Sequence, residues 1–306
     1  MKKSSNNPSN QFRLQNRKFT KKISYFSPWL GVLSFAWLVI YLAAFPNPEA
    51  LAAKNWPLVF IGIFAAIIGN ITAIGGGIVF IPVLMFAYQL DPVSALKLSF
   101  VTQAVGMTSG AIGWMQRGEV PYKLLWWTIP SLLIGAMISS FVIHPQALLV
   151  KGLFGPVSFL AGLVTLWTLN KTGYRSMLPT HAFAPIFFVS LLGGLITGWV
   201  AIGEGEVVAA FCMLAYGLKP SLAVGLGVVL LSINSIFLAL IHGIYFGGVP
   251  WDLAAFTIIG VLWGGRLGPY LAQWIPLKTT KRIFAFIAML DGLVIIFQVI
   301  YTMMKN

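Results

Sequence analysis

The chain has 306 residues, of which 58% are hydrophobic and only 9% charged, with a mean hydropathy of +0.87. A soluble domain is about 45–50% apolar and roughly 25% charged, so the 20 basic and 7 acidic residues here are too few to cover a water-facing globule. The surrounding solvent is lipid. A net charge of +13 would point to nucleic acid in a soluble protein, but seven of the 20 basic residues fall within the first 22 positions. That placement reads as a membrane-orientation signal, with no nucleic-acid partner. The single cysteine, Cys212, excludes an internal disulfide and a multi-cysteine metal site, and it reads as a small buried residue in the apolar run 207–215. His144, His181 and His242 are far apart and lack metal-ligand spacing, so no metal and no cofactor is expected.

Residues 1–27 carry Lys2, Lys3, Arg13, Arg17, Lys18, Lys21 and Lys22 among asparagines and serines, and read as a disordered basic cytoplasmic arm. Residues 28–56 follow as an extra N-terminal membrane helix and loop, with an apolar stretch from Trp29 to Phe45 ending at Pro46-Asn47-Pro48. The small residues Ala50-Leu51-Ala52 leave a cleaved signal peptide open; the long arm favours an uncleaved helix. Further apolar segments fall at 57–88, 92–116, 121–143, 147–168, 182–216, 220–246, 251–274 and 279–303. Six have the roughly 20-residue length of a bilayer crossing. Segments 57–88 and 182–216 are too long, and each is interrupted by glycines, at Ile74-Gly75-Gly76-Gly77 and at Ile202-Gly203-Glu204-Gly205-Glu206. Glycine weakens a helix by about 1 kcal/mol relative to alanine, so both helices should break there.

The two broken segments are copies of one another. Ala73-Ile74-Gly75-Gly76-Gly77 aligns with Ala201-Ile202-Gly203-Glu204-Gly205 at an offset of 128, which also carries Ala87-Tyr88 onto Ala215-Tyr216, Leu90 onto Leu218, Pro92 onto Pro220 and Ala95 onto Ala223. After one residue of slippage, Gly118, Val120-Pro121 and Gly135 match Gly247, Val249-Pro250 and Gly264. The chain is thus a tandem repeat of about 115 residues, occupying 57–170 and 182–303.

Counting basic residues tests how each broken segment runs. If both are hairpins that enter and leave on one face, Arg117, Lys123, Lys171, Arg175, Lys219, Lys278, Lys281 and Arg282 lie inside, against Lys54, Lys151 and Lys305 outside. If both cross the membrane, Lys151, Lys219, Lys278, Lys281 and Arg282 lie inside and six basic residues lie outside. The positive-inside rule favours the hairpins. The expected fold is therefore an all-α polytopic membrane protein of two inverted repeats. Each has a glycine-broken, re-entrant-like helix plus three crossings, and an extra N-terminal helix precedes them.

Glycines in a helix break free backbone groups that cannot face lipid and are tolerated where they are buried or line a polar cavity. Helix ends meeting there would aim amide dipoles at a bound ion, and an N-terminus suits an anion; close helix packing is the plainer explanation of Gly75, Gly76 and Gly77. Lys97, Glu204, Glu206, Arg266 and Asp291 are charged positions within apolar segments, where each costs at least about 2.5–3.5 kcal/mol unless paired or hydrated. Glu204 and Glu206 occupy the second break itself, an environment that favours the neutral carboxyl and suits a proton carrier. Structural pairing with Lys97 or Arg266 is the alternative, and for Asp291 a pairing with Arg266 is favoured. Asn70 and Thr72 precede the first break, Ser99, Thr102, Gln103, Thr108 and Ser109 stud segment 92–116, and Ser232, Asn234 and Ser235 stud its counterpart. They line the site or serve as hydrogen bonds between helices. The pair Trp126-Trp127, with Trp56, Trp251 and Trp274, reads as interface anchoring.

The duplicated glycine motif and the proline-led helix after it resemble the sulfite exporter TauE/SafE family, also called the toluenesulfonate uptake permease family. The family pattern G-[IL]-G-G-G, an apolar stretch with proline, a helix beginning A-V-G-T-S-L and a basic-Gly loop is met in the first copy by Ile74-Gly75-Gly76-Gly77-Ile78 with Pro82, Ala95 to Phe100, and Arg117-Gly118. In the second copy it is met by Ile202 to Glu206 and Ala223 to Val228, and the resemblance spans about 57–303. It implies a secondary transporter in the inner membrane, N-terminus cytoplasmic, moving a sulfur-containing anion such as sulfite or an organosulfonate, with proton coupling. The expected substrate-binding residues are Gly75, Gly76, Gly77, Thr72, Ser99, Gln103, Gly203, Gly205 and Asn234, and the expected coupling residues are Glu204, Glu206, Lys97 and Arg266. This sequence departs from the pattern in three places: two glutamates in the second glycine motif, Leu226-Gly227 for Thr-Ser, and Lys97 for a glycine. A cation-selective carrier or channel using the glutamates and a non-transporting membrane anchor both remain as alternatives, and a homo-oligomer stays open. No nucleophile–base constellation marks an enzyme.

Overall fold

A computed structural model of the chain describes residues 28–170 and 173–305. The basic arm 1–27 and Lys171 lie outside the described residues. Twelve α-helices follow in chain order among the described residues: α1 (Pro28–Ala44), α2 (Pro48–Asn55), α3 (Pro57–Thr72), α4 (Gly77–Phe86), α5 (Pro92–Gln116), α6 (Tyr122–Met137), α7 (Ala147–Trp167), α8 (Phe183–Val200), α9 (Glu204–Tyr216), α10 (Pro220–Ala239), α11 (Trp251–Leu271) and α12 (Leu277–Lys305). Helices α6 and α10 each run on into a π-helical turn, Ile138–Val142 and Leu240–Tyr245. The apolar segments of the sequence thus become helices with nearly the expected ends, because prolines start α3, α5 and α10 and glycines stop α9 and interrupt both long segments. Helix α2 was expected as loop; Pro48 in its first turn, Glu49 beside it and Lys54 in its last turn complement the helix dipole.

Among the described residues, five helical stretches are long and apolar enough to cross a membrane: 122–142, 147–167, 180–200, 220–245 and 278–301. Helices α2 and α3, bent by 53° at their junction, make a sixth if taken as one span. Helices α5 and α11 fall outside that set because they carry Lys97, Gln103, Asp252 and Arg266. Most of their length is also buried among other helices, as is that of α10, and protein around a helix is what lets polar residues persist at membrane depth. The outward faces of α1, α7 and α12 instead present large apolar side chains such as Phe35, Leu160 and Phe297 to the surroundings.

The two breaks have the same backbone. Helix α3 ends at Ala73 in the left-handed region (φ 64°), and Gly75 follows at φ 91°. Helix α8 ends at Ala201 (φ 55°), with Gly203 at φ 108°. A left-handed conformation costs an alanine about 1–2 kcal/mol, so its recurrence at both repeat-equivalent positions shows that the surroundings impose it.

Those surroundings are the other copy. Helix α3 packs on α11 and α6 on α8, which is the same pairing with the copies exchanged, while α5 pairs with α10 and α7 with α12. The correspondence reaches single residues. A Cβ on Gly264 would strike the Ile63 carbonyl, and one on the matching Gly135 would strike the carbonyl of Leu191, the match of Ile63. At the breaks, a Cβ on Gly77 would strike the Ala201 carbonyl, and one on Gly205 the Ala73 carbonyl. Gly77→Ala and Gly205→Ala should each lower thermal stability in detergent by the cost of overpacking, about 1–3 kcal/mol. Gly152→Ala, where nothing lies within 4 Å, should not.

Candidate functional site

The breaks bring two helix starts together in the interior. Helix α4 begins behind Gly76 and α9 behind Gly203, and neither residue supplies a side-chain cap. Gln103 of α5 reaches across, its Nε2 donating to the Ala201 carbonyl at 2.9 Å, while its Oε1 lies 2.9 Å from where a Cβ on Gly75 would stand. Glycine at 75 is therefore required twice, by its positive φ and by this contact. The second break is held by Thr197, whose Oγ1 donates to the Ile202 carbonyl (3.3 Å) and accepts from the Glu204 amide (3.2 Å).

Glu204 is fully buried and accepts a hydrogen bond from Asn234 Nδ2 at 2.5 Å. In the other copy the two equivalent positions are Gly76 and Gly106, so this polar pair exists on one side of the site only. Glu206, 7% exposed, accepts from Thr165 of α7. The nearby cation is Lys281 of α12, itself 7% exposed, whose charge acts on Glu206. Lys281 Nζ donates to Thr168 Oγ1 at 3.2 Å, and Thr168 donates to the Thr165 carbonyl at 3.1 Å. A buried chain of polar groups therefore links the break to α12 through α7. Several buried oxygens here have no hydrogen-bond partner: Glu204 Oε1, Glu206 Oε2, Gln103 Oε1, Asn234 Oδ1, Ser99 Oγ and Ser235 Oγ. Buried polar atoms left in this state call for a ligand, a proton or water.

The remaining polar residues separate into two groups. Thr102 bonds Thr257 at 3.0 Å, Ser109 bonds the Leu262 carbonyl at 2.7 Å, and Thr108 bonds Ser232 at 2.8 Å, so these tie α5 to its neighbours. Thr72 donates back to Ile68 of its own helix (2.8 Å), one turn before the first break. Lys97 and Arg266, expected as possible charge partners of the two glutamates, are placed elsewhere. Lys97 Nζ donates to the Gly247 carbonyl at 2.8 Å, at the far ends of α5 and α10 from Arg117 and Lys219, and Arg266 donates to Gln116 Oε1 of α5. The expected pairing of Asp291 with Arg266 is likewise not what the packing favours, since the helix of Asp291, α12, packs mainly on α7 while that of Arg266, α11, packs on α3 and α5. The cation that faces Glu206 had been counted as a loop charge. Its burial depends on how α12 turns toward α7, which spacing along one helix does not reveal.

Apolar helices clad on their outer faces, enclosing two broken helices and buried carboxyls, define a multi-pass membrane transporter. The family model for the sulfite exporter TauE/SafE matches residues 58–295, and the chain belongs to that family. It is 24% identical over 273 residues to the "Probable membrane transporter protein YunE" of Bacillus subtilis (strain 168), covering 80% of this chain and 98% of that one. It is 23% identical over 255 residues to the "Probable membrane transporter protein YjnA" of the same organism, covering 78% and 98%. No solved structure matches. These relatives are transporters and not enzymes.

Lys281→Met leaves Glu206 without its cation and should destabilise the protein, by about 3–5 kcal/mol if the carboxyl stays ionised. Adding Glu206→Gln should restore most of the loss. A double-mutant cycle on thermal stability reads the coupling directly, and additive losses would mean that the two groups do not interact.

Proposed function

We propose that the protein is a secondary transporter for a small sulfur-containing anion, sulfite or an organosulfonate, coupled to protons and working from the bacterial inner membrane. What carries this reading is the placing of the α4 and α9 starts each against the opposite break, beside two buried carboxyls. Amides at a helix start, with the positive end of its dipole, favour an anion. Ionised glutamates at the same place would repel it, and protonated ones would not. The anion and a proton then enter the site together, and loss of the proton on the other side expels the anion. Glu206 is the favoured proton carrier, since Thr165 and Lys281 connect it to the outside of the break, while Glu204 is tied inward to Asn234.

With both breaks read as hairpins, the two copies form inverted repeats that work by alternating access. Arg117, Gly173, Tyr174, Lys219, Ala272 and Ile275 line a single cavity. That cavity brings together the connections after α5, α7, α9 and α11, which supports the hairpin reading over full crossings. This is the end where the positive-inside count places the cytoplasm.

In proteoliposomes, an inward proton gradient should drive accumulation of labelled sulfite by the wild type. Glu206→Gln, fixed in the neutral form, should keep anion exchange and lose gradient-driven accumulation. If Glu204→Gln and Glu206→Gln both retained transport with its full pH dependence, the coupling mechanism would be wrong. A cation carrier is the second reading, because Glu204 Oε1, Glu206 Oε2, Gln103 Oε1 and Asn234 Oδ1, which lack partners, are all oxygens. Currents whose sign follows a cation gradient, independent of sulfite, would establish it.

A further inference from the structure

The second break carries a polar pair that the first break lacks, and the pair is not what builds the break. Gly76 and Gly106 stand in the first copy where Glu204 and Asn234 stand in the second. Both breaks nevertheless have the same backbone, a left-handed alanine followed by a glycine at positive φ. A charged side chain at membrane depth costs at least about 2.5–3.5 kcal/mol unless it is paired or hydrated. Folding of the break does not call for Glu204, so the reason for the pair lies in what it can hold.

Both residues are fully buried, and Asn234 Nδ2 donates to Glu204 Oε2 at 2.5 Å. That bond uses one atom of each group. The other two, Glu204 Oε1 and Asn234 Oδ1, are buried oxygens to which nothing donates. Each shares a carbon with an atom of the bond, so the two bare oxygens flank a single contact. A carboxylate oxygen and an amide oxygen left together need something positive between them. Among the described residues no basic side chain is bonded to Glu204. Lys281 donates to Thr168 beside Glu206, Lys97 to the Gly247 carbonyl, and Arg266 to Gln116. The surroundings are close. A Cβ on Gly193 of α8 would stand 3.1 Å from Glu204 Cγ, and Thr197 Oγ1 holds the Glu204 amide at 3.2 Å. Packing of this kind suits a single small ion and not a polyatomic one.

We propose that Glu204 Oε1 and Asn234 Oδ1 bind a sodium ion, which neutralises Glu204 while Glu206 takes the proton. Oxygen donors suit a hard cation, and the single formal charge of the pair matches a monovalent one. The close packing selects sodium over the larger potassium. A proton on Oε1 would belong to one oxygen, whereas a cation is shared by both. Buried charges are paired or coordinate metals, and the midplane break of a transporter helix is a place where coupling ions are held. The proposal deepens the anion-transport reading: an anion at the helix starts then meets two neutralised carboxyls, one through a proton and one through sodium. It rests on that reading for the purpose of the ion and not for its binding.

The experiment uses the full chain in phosphatidylcholine nanodiscs and reads its melting temperature in sodium, potassium or N-methylglucamine chloride at equal ionic strength and pH. Wild type should be stabilised saturably by sodium alone, by roughly 3 °C at ten times its dissociation constant. Glu204→Gln should lose the sodium response. The double variant Glu204→Gly with Asn234→Gly gives the second break the residues of the first, whose backbone is the same without the pair; it should fold and be insensitive to sodium. The comparison of salts on wild type needs no variant, so it stands even where a variant fails to fold. Equal melting temperatures in all three salts would overturn the proposal, as would a sodium response that survives Glu204→Gln. A wild type that responds to pH and not to sodium would mean that Glu204 carries a proton instead. The two readings fail separately. Proton-driven accumulation without any sodium response sinks this site and leaves the proton mechanism, while a sodium response in a protein whose accumulation ignores the proton gradient does the reverse. Glu206→Gln should keep the sodium response and lose the proton-driven accumulation.

Discussion

The mutual contact of the two breaks is the constraint on which the rest depends. Each break presses a carbonyl, Ala73 or Ala201, against a glycine of the other, Gly205 or Gly77. Two polypeptide backbones approach this closely only where no Cβ intervenes, and at membrane depth they must do so, because irregular backbone is stable there only when shielded from lipid. From this contact follow the left-handed alanines, the reciprocal pairing of α3 with α11 and α6 with α8, and the central position of α5 and α10. Polar residues then have a place to be. Gln103 can bond the opposite break because α5 runs directly beneath it.

What was legible in the sequence is what local chemistry decides. Glycine runs announced the breaks, and prolines announced the starts of α3, α5 and α10, since both residues act on their own backbone whatever surrounds them. Repetition at a fixed offset then made two weak signals into one strong signal. The partners of the buried charges were not legible. Lys97, Arg266 and Lys281 all lie within apolar helices at comparable spacing, and only the rotation of α12 against α7 brings Lys281 to Glu206 while the others turn to Gly247 and Gln116. Nor did spacing separate Thr102, Thr108 and Ser109, which bond neighbouring helices, from Gln103, which reaches the break and retains an atom without a partner there.

The two copies share a backbone and divide the chemistry. At the break, the first copy has Gly76 and Gly106 where the second has Glu204 and Asn234, and Ile78 where the second has Glu206. At the start of the second helix, the first copy has Asp91 and the second has Lys219. The two exchanges move charge in opposite senses at the two places. Carboxyls that can take up a proton are gathered at the centre, on the second copy. At the cavity end, the cation Lys219 stands where the other copy has the carboxylate Asp91. On the proposed function, an anion drawn from that end would meet Lys219 and Arg117 first and the carboxyls afterwards. Attraction at the mouth and conditional repulsion at the centre would be the order that makes passage depend on the proton. A symmetric pair of repeats could bind an anion between its two helix starts, but it would have no such gradient of charge along the path. On the proposed function, coupling of the anion to a proton would therefore come from the places where the second repeat departs from the first.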